Sequence, residues 1–325
     1  MVIQRAVASA FFISALGAGV ILHAGHAGDA TQVGSGQTPS QFPLSFSVRE
    51  RGSSVTPAFE GWYYNKDGST SLLIGYFNRN TKQELDLPIG PNNHIDPGGP
   101  DLGQPTHFLT GRQYGVFTIK VPKDFGAKKL AWTLISNGQT NTITLHTKPD
   151  YVVEPFEDPA NKNTPPVIRF QADGPTFTGP PVGIAATYTT TLPNPLTITT
   201  WMTDEGPKIN IPEPSPNRGR GRGRGRGTGT DAAAAAAGFT PPPPMALSWS
   251  WFRGPAPVRF DNPKPPVTKE NDGKASVTVT FTEPGEYILR AQANDSTGEG
   301  GGGFQCCWTN AHVKVTVRPA APTGQ

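Results

Sequence analysis

Cysteine is nearly absent from this chain. Its 325 residues hold two, Cys306 and Cys307, and they are neighbours, so no framework of several disulfides ties distant segments together. Signatures of catalysis are missing too. There is no Gly-x-Ser-x-Gly elbow, no Gly-x-x-x-x-Gly-Lys phosphate cradle and no His-Glu-x-x-His zinc helix. No stretch from about Phe42 to Phe170 keeps up a helical period of apolar residues, which excludes a helix-built core there. Beyond the first 22 residues no apolar run is long enough for a membrane-spanning helix, which needs roughly 20 residues. Basic charge on the folding segments is scarce as well. The net charge is +3, but Arg218, Arg220, Arg222, Arg224 and Arg226 lie in one glycine-arginine run and Arg5 lies near the start. Removing these six leaves −3 for the rest, whereas a nucleic-acid module normally carries its basic residues on a folded face. No nucleic-acid partner is expected.

What the chain does have is glycine and proline, 38 and 35 residues, about a fifth of the total against a usual share of roughly 12%. Both interrupt regular structure, so short elements joined by loops are expected. Arg5 followed by the apolar stretch Ala6 to Leu22 and the small residues Gly25-His26-Ala27 read as a secretory leader over residues 1–27. That reading makes the mature chain an exported protein, periplasmic or extracellular, with no membrane span once the leader is removed. An uncleaved anchor is the alternative. Residues 28–41 read as a flexible start.

Period-two alternation then dominates. Tyr63-Tyr64, the turn residues Asn65-Lys66-Asp67-Gly68 and Ser71 to Phe77 read as a hairpin. Phe117, Ile119 and Val121 predict one half-buried strand, Leu130, Trp132 and Leu134 a second, and Ile143 with Leu145 a third. Leu87 to Gly111 reads as a long irregular loop. Later strands are expected at Leu196–Thr199, around Leu247, Trp249 and Trp251, at Val277 to Phe281, at Tyr287 to Ala293 and at Val313 to Val317. Residues 207–244, with the arginine run, Ala232 to Ala237 and Pro241 to Pro244, bury too little apolar surface to offset chain entropy and read as disordered. The fold class predicted is all-β, with two β-sandwich-like domains at 42–174 and 175–318 and a tail at 319–325.

The segment Phe281 to Ser296, with Pro284-Gly285-Glu286-Tyr287 turning into a strand that ends at Asp295, resembles PKD-type and related bacterial immunoglobulin-like domains. Thr203-Asp204-Glu205-Gly206, Trp249 and Gly254-Pro255 resemble neighbouring strand ends of the same fold. The resemblance covers about 190–318. It implies an immunoglobulin-like sandwich in which 207–244 is an insertion in one inter-strand loop. Phe59-Glu60-Gly61-Trp62-Tyr63 resembles a short motif of lipocalin-like cyclases, and the remainder of the first region resembles no family.

Candidate sites are few. His94, Asp96, Asp101 and His107 lie in one loop, and imidazole with carboxylate suits a metal ion or a bound ligand. The competing reading is turn chemistry, since Asn, Asp, Gly and Pro are what an irregular loop needs. For Cys306 and Cys307 three readings stand: a disulfide between neighbours, two free thiols, or an intermolecular bridge or metal contact. Adjacent Cα atoms about 3.8 Å apart lie below the usual disulfide range of about 4.4–6.8 Å. Trp62, Tyr63, Tyr64, Trp132, Trp201, Trp249, Trp251 and Trp308 are candidates for a sugar platform or for core. The favoured function is a non-enzymatic binding or structural module contacting a cell-surface or extracellular polymer or protein, without a cofactor. The alternative is a metal-binding protein or hydrolase-type enzyme with its site in the 87–111 loop.

Overall fold

In the computed structural model the described residues are 49–159, 162–206, 245–267, 272–295 and 306–320. The predicted leader, the flexible start and the 207–244 segment lie outside them. All described residues fall within one compact unit. They form an all-β structure of strands β1 (Val55–Tyr64), β2 (Thr70–Asn78), β3 (Leu85–Asp86), β4 (Asn93–Asp96), β5 (His107–Phe108), β6 (Gly111–Val121), β7 (Leu130–Ser136), β8 (Gln139–Leu145), β9 (Val167–Arg169), β10 (Ile184–Thr191), β11 (Leu196–Thr203), β12 (Met245–Arg253), β13 (Arg259–Phe260), β14 (Lys274–Thr280), β15 (Gly285–Asp295) and β16 (Trp308–Arg318). Among these residues no helix is long and apolar enough to cross a membrane.

The first sandwich sets sheet β1-β2-β6 against sheet β4-β7-β8, with the small pair β3-β5 at its side. The expected hairpin is β1–β2. The Asn65 carbonyl accepts from the Gly68 amide, and the Asn65 amide bonds the Ser69 carbonyl. On β7 the alternation places Leu130, Trp132 and Leu134 inward, where they share one cluster with Leu72, Ile74, Phe117, Ile119 and Leu145. Burying each such side chain contributes about 1.5–3 kcal/mol.

The expected irregular loop at 87–111 is more regular than its sequence suggests, because β4 pairs with β7. No alternation announces that pairing. Polar side chains hold it in place. Asn93 is fully buried; its Nδ2 donates to the Leu87 and Pro105 carbonyls at 2.8 Å each, and its Oδ1 accepts from the Trp132 indole at 3.0 Å. The Tyr76 hydroxyl accepts from the Leu109 amide, and Asn78 donates to the Phe108 carbonyl.

The second sandwich sets sheet β10-β16-β15-β12 against sheet β13-β14-β11-β9. Ile198, Val277, Val279, Leu289, Ala291, Val313 and Val315 fill the space between them. The order is that of an immunoglobulin-like sandwich, with β10 lying parallel to the last strand, β16. Tyr287, at the start of β15, is fully buried and its hydroxyl donates to the Glu283 carbonyl at 2.9 Å. This is the corner bond such folds make just before that strand. The chain enters this sandwich at β9, which pairs with β11, ahead of the expected start of the second domain at 175.

Candidate functional site

Among the described residues, a group of buried polar and charged side chains lies where the two sandwiches meet. On β15 and β16 one face looks into the second core. The opposite face carries Arg290, Gln292, Asn310 and His312, a pattern that ordinarily marks a solvated surface. All four are buried. The segment Arg112 to Val116 of β6 covers them and supplies backbone carbonyls as partners. Asn310 Nδ2 donates to the Gly115 carbonyl at 2.9 Å and the Tyr114 carbonyl at 3.2 Å, and its Oδ1 accepts from Arg290 Nε at 2.8 Å. Arg290 also donates to Gln113 Oε1 at 3.0 Å. Gly115 has a φ of +50° and a Cβ there would stand 2.8 Å from the Trp308 indole nitrogen, so a side chain at this position would force the sandwiches apart.

His312 Nε2 lies 3.0 Å from the Val116 carbonyl. A carbonyl only accepts, so Nε2 carries the proton. The ring packs on Phe252, centroids 4.3 Å apart, and Phe252 itself belongs to the first sandwich's hydrophobic cluster. Burial, with the nearby Arg290 and Arg253 charges, pushes the His312 pKa down to about 3, so the imidazole is neutral in this seam.

Glu60 anchors the first sandwich's side. Its carboxylate takes a 2.7 Å bond from Arg112 Nη2 and a 2.8 Å bond from the Gly115 amide. Its side chain is 1% exposed against 27% for Arg112. Burial raises the Glu60 pKa although Arg112 and the Gly115 amide pull it down. Gly75 makes room for the pair, since a Cβ there would sit 2.1 Å from Glu60 Oε1. Arg112 also caps the Tyr114 ring at 4.3 Å.

The four loop residues singled out from sequence end on separate partners. His94 Nδ1 lies 3.1 Å from the Pro91 carbonyl, and its Nε2 is 3.4 Å from Asp96, on the same strand β4. Asp101 reaches the other sandwich and holds Arg253 with both oxygens, at 2.8 and 3.0 Å. That guanidinium also donates to the Gln104 carbonyl at 2.6 Å. His107 is buried between Asp86, 2.7 Å from Nδ1, and Glu84, 3.2 Å from Nε2, and its ring stacks on Trp251 of β12 at 4.5 Å. Burial works to lower its pKa, but the bonds to Glu84 and Asp86 outweigh burial and raise it. Among the described residues no three His, Cys, Asp or Glu side chains are grouped to hold a metal ion.

Cys306 and Cys307 are joined to each other by a disulfide. The chain does not run as an extended strand there. Cys307 has a φ of +82°, which turns both sulfurs to one side, 3.9 and 3.6 Å from the Asn163 carbonyl oxygen. Asn163 in turn donates to Asp295 at the end of β15. Of the aromatic candidates, Trp62, Tyr63, Trp132, Trp249 and Trp308 are buried, and Tyr64 is exposed. Trp201 and Trp251 are half-buried, the former under Lys274 Nζ at 5.8 Å.

Sequence reasoning named Glu60 only as part of the Phe59 to Tyr63 motif, and it did not single out Arg112, Arg290, Asn310 or His312. No signal marked the seam, because Arg290 and Gln292 alternate with Leu289, Ala291 and Ala293 just as on a strand with one wet face. Along the seam's edge runs a cleft of about 260 Å³ lined by Leu102, Phe117, Ile184, Phe252, Ile288 and His312 among others.

No family model matches the chain, and no curated protein matches it. Among solved structures, domains 4 and 5 of the S-layer protein SbsC align with 82% of this chain and 98% of their own length, at 11% identity and a TM-score of 0.20. A superposition that loose supports no inference about fold or function.

Proposed function

We propose that this chain is an exported, non-enzymatic binding or structural module, in which two β-sandwiches act as one rigid body and the second is of PKD type. The polar seam carries the reading. Arg290, Asn310 and His312 all bond to β6 of the first sandwich. Arg253 bonds to Asp101 and Gln104 of its loop. Buried polar groups matched this closely leave little freedom for hinge motion, because separation would strand several donors and carbonyls at once. The PKD-type assignment draws support from the Pro284 to Tyr287 turn and from the Tyr287 corner bond. Export rests on the leader-like residues 1–27.

Calorimetry of the purified mature protein tests the rigid-body reading. A single transition with equal calorimetric and van't Hoff enthalpies is expected, and two separated transitions would refute it. A screen against neutral and acidic polysaccharides, with elemental analysis of the same sample, tests the rest. Stoichiometric bound metal or turnover of a screened polymer would overturn the non-enzymatic reading.

A further inference from the structure

His107 holds its two ring nitrogens against two carboxylates, Nδ1 on Asp86 and Nε2 on Glu84. An ionised carboxylate only accepts hydrogen bonds. A neutral imidazole has one donor nitrogen and one acceptor nitrogen, so in either tautomer it would turn a lone pair toward one of these oxygens. Only the doubly protonated ring satisfies both. The same ring is stacked 4.5 Å from the Trp251 indole, where a cation gains from the aromatic face. Trp251 belongs to the second sandwich, whereas Glu84, Asp86 and His107 belong to the first. We propose that His107 is an imidazolium latch that clamps the 84–108 segment onto Trp251, and that loss of one ring proton to solvent releases this segment from the second sandwich. This goes beyond the module reading, because it makes one end of the seam responsive to pH.

The groups facing the ring are few. Glu84 and Asp86 approach from the β3 side, and β12 offers the uncharged Trp251. Among the described residues, Asp101 and Arg253, paired with each other, also lie at this end of the seam, and the Arg290 charge acts on Tyr76 together with that of Glu84. His312 lies beyond, packed on Phe252 and neutral. The sign follows from the partners. A histidine raised above 6.5 in the fold contributes stability that is complete below pH 6.5 and is lost as pH climbs through the folded value. Glu84, lowered below 4.5 chiefly by its bond to His107, contributes stability present above pH 4.5 and lost as pH falls through its folded value. The latch is therefore closed between these limits and opens on the alkaline side.

Amide exchange and ring ¹⁵N shifts on the full mature protein test the latch. The Thr106 amide, bonded to the Phe252 carbonyl at 3.1 Å across the seam, reports on closure. Its protection factor should fall between pH 6 and pH 9, by about tenfold for each unit that the ring's midpoint stands above 6.5. In His107→Gln the protection should be flat over the same range. Glu84→Gln should move the midpoint downward. A ring found neutral at pH 6, unchanged Thr106 protection in the wild-type protein, or the same pH profile in His107→Gln would each overturn the proposal. If His107→Gln does not fold, Glu84→Gln decides, and an unmoved midpoint refutes the latch.

Discussion

Replacing Arg112 by methionine would leave the Glu60 carboxylate buried with the Gly115 amide as its remaining hydrogen-bond donor, helped only by the charge of Arg290. The side chain of Glu60 is 1% exposed, so water cannot take the guanidinium's place. Breaking a buried ion pair by removing one partner costs about 3–5 kcal/mol. Arg112 is itself partly exposed, and methionine keeps part of its packing on Tyr114, so the lower figure, about 3 kcal/mol, applies at pH 8. Arg112 also donates to the Tyr76 and Gln113 carbonyls, which the variant forfeits. The loss should shrink in acid. The Glu60 pKa is already raised above 4.5 in the wild-type fold, and without Arg112 it rises further. A carboxyl raised in this way favours the folded state below its unfolded value and loses that favour as pH climbs through the folded value. Urea unfolding at pH 8 and pH 5 reads both numbers, and a thermal melt at pH 8 should drop by about 2–4 °C per kcal/mol for a domain of this size. The double variant Arg112→Met with Glu60→Gln should recover part of the stability, because no charge is left stranded. A loss below about 1 kcal/mol, or one equal at both pH values, would refute the idea that this carboxylate is held charged by Arg112.

Three further outcomes are expected. Tyr287→Phe removes one hydroxyl bond to the Glu283 carbonyl and should lower stability by about 1 kcal/mol in urea unfolding, with the single transition retained; no change would argue against a structural role for the corner bond. His312, with its pKa near 3, should show a neutral ring in NMR at pH 5, and its contribution to stability, complete above pH 6.5, should decline as pH falls toward about 3; a ring titrating near 6.5 would place it in water. Alkylation of the denatured protein without reductant, read by mass, should label neither Cys306 nor Cys307; two labelled thiols would exclude the pairing.

Much of the strand pattern was legible. Leu130, Trp132 and Leu134 alternate because one face of β7 meets the first core, and Val313, Val315 and Val317 do the same on β16 for the second. β4, β9 and β10 were not legible, and the reason differs for each. β4 is short and held by Asn93, whose amide reads equally well as loop chemistry. β9 has only three residues. The face of β10 is mostly threonine and alanine, and its place is set by parallel pairing with β16, over a hundred residues away. The sequence named the loop residues but not what they touch. His107 and Asp101 stood out as loop residues with chemistry, but the partners they take, Trp251 and Arg253, lie on a strand far along the chain. Spacing within the loop could not show that.

The all-β character and the turn chemistry follow from the sequence alone, because alternation and Gly-Pro punctuation act over a few residues. The Pro284 to Tyr287 turn belongs to the same class, whereas the bond from the Tyr287 hydroxyl to the Glu283 carbonyl appears only in the structure. The tertiary structure alone decided what the polar faces do. Arg290, Asn310 and His312 carry the pattern of a solvated strand face, and only the approach of β6 turns that face into a buried seam. Hydrogen bonds from side chains to distant backbone carbonyls leave no periodic mark in sequence, since any residue supplies a carbonyl.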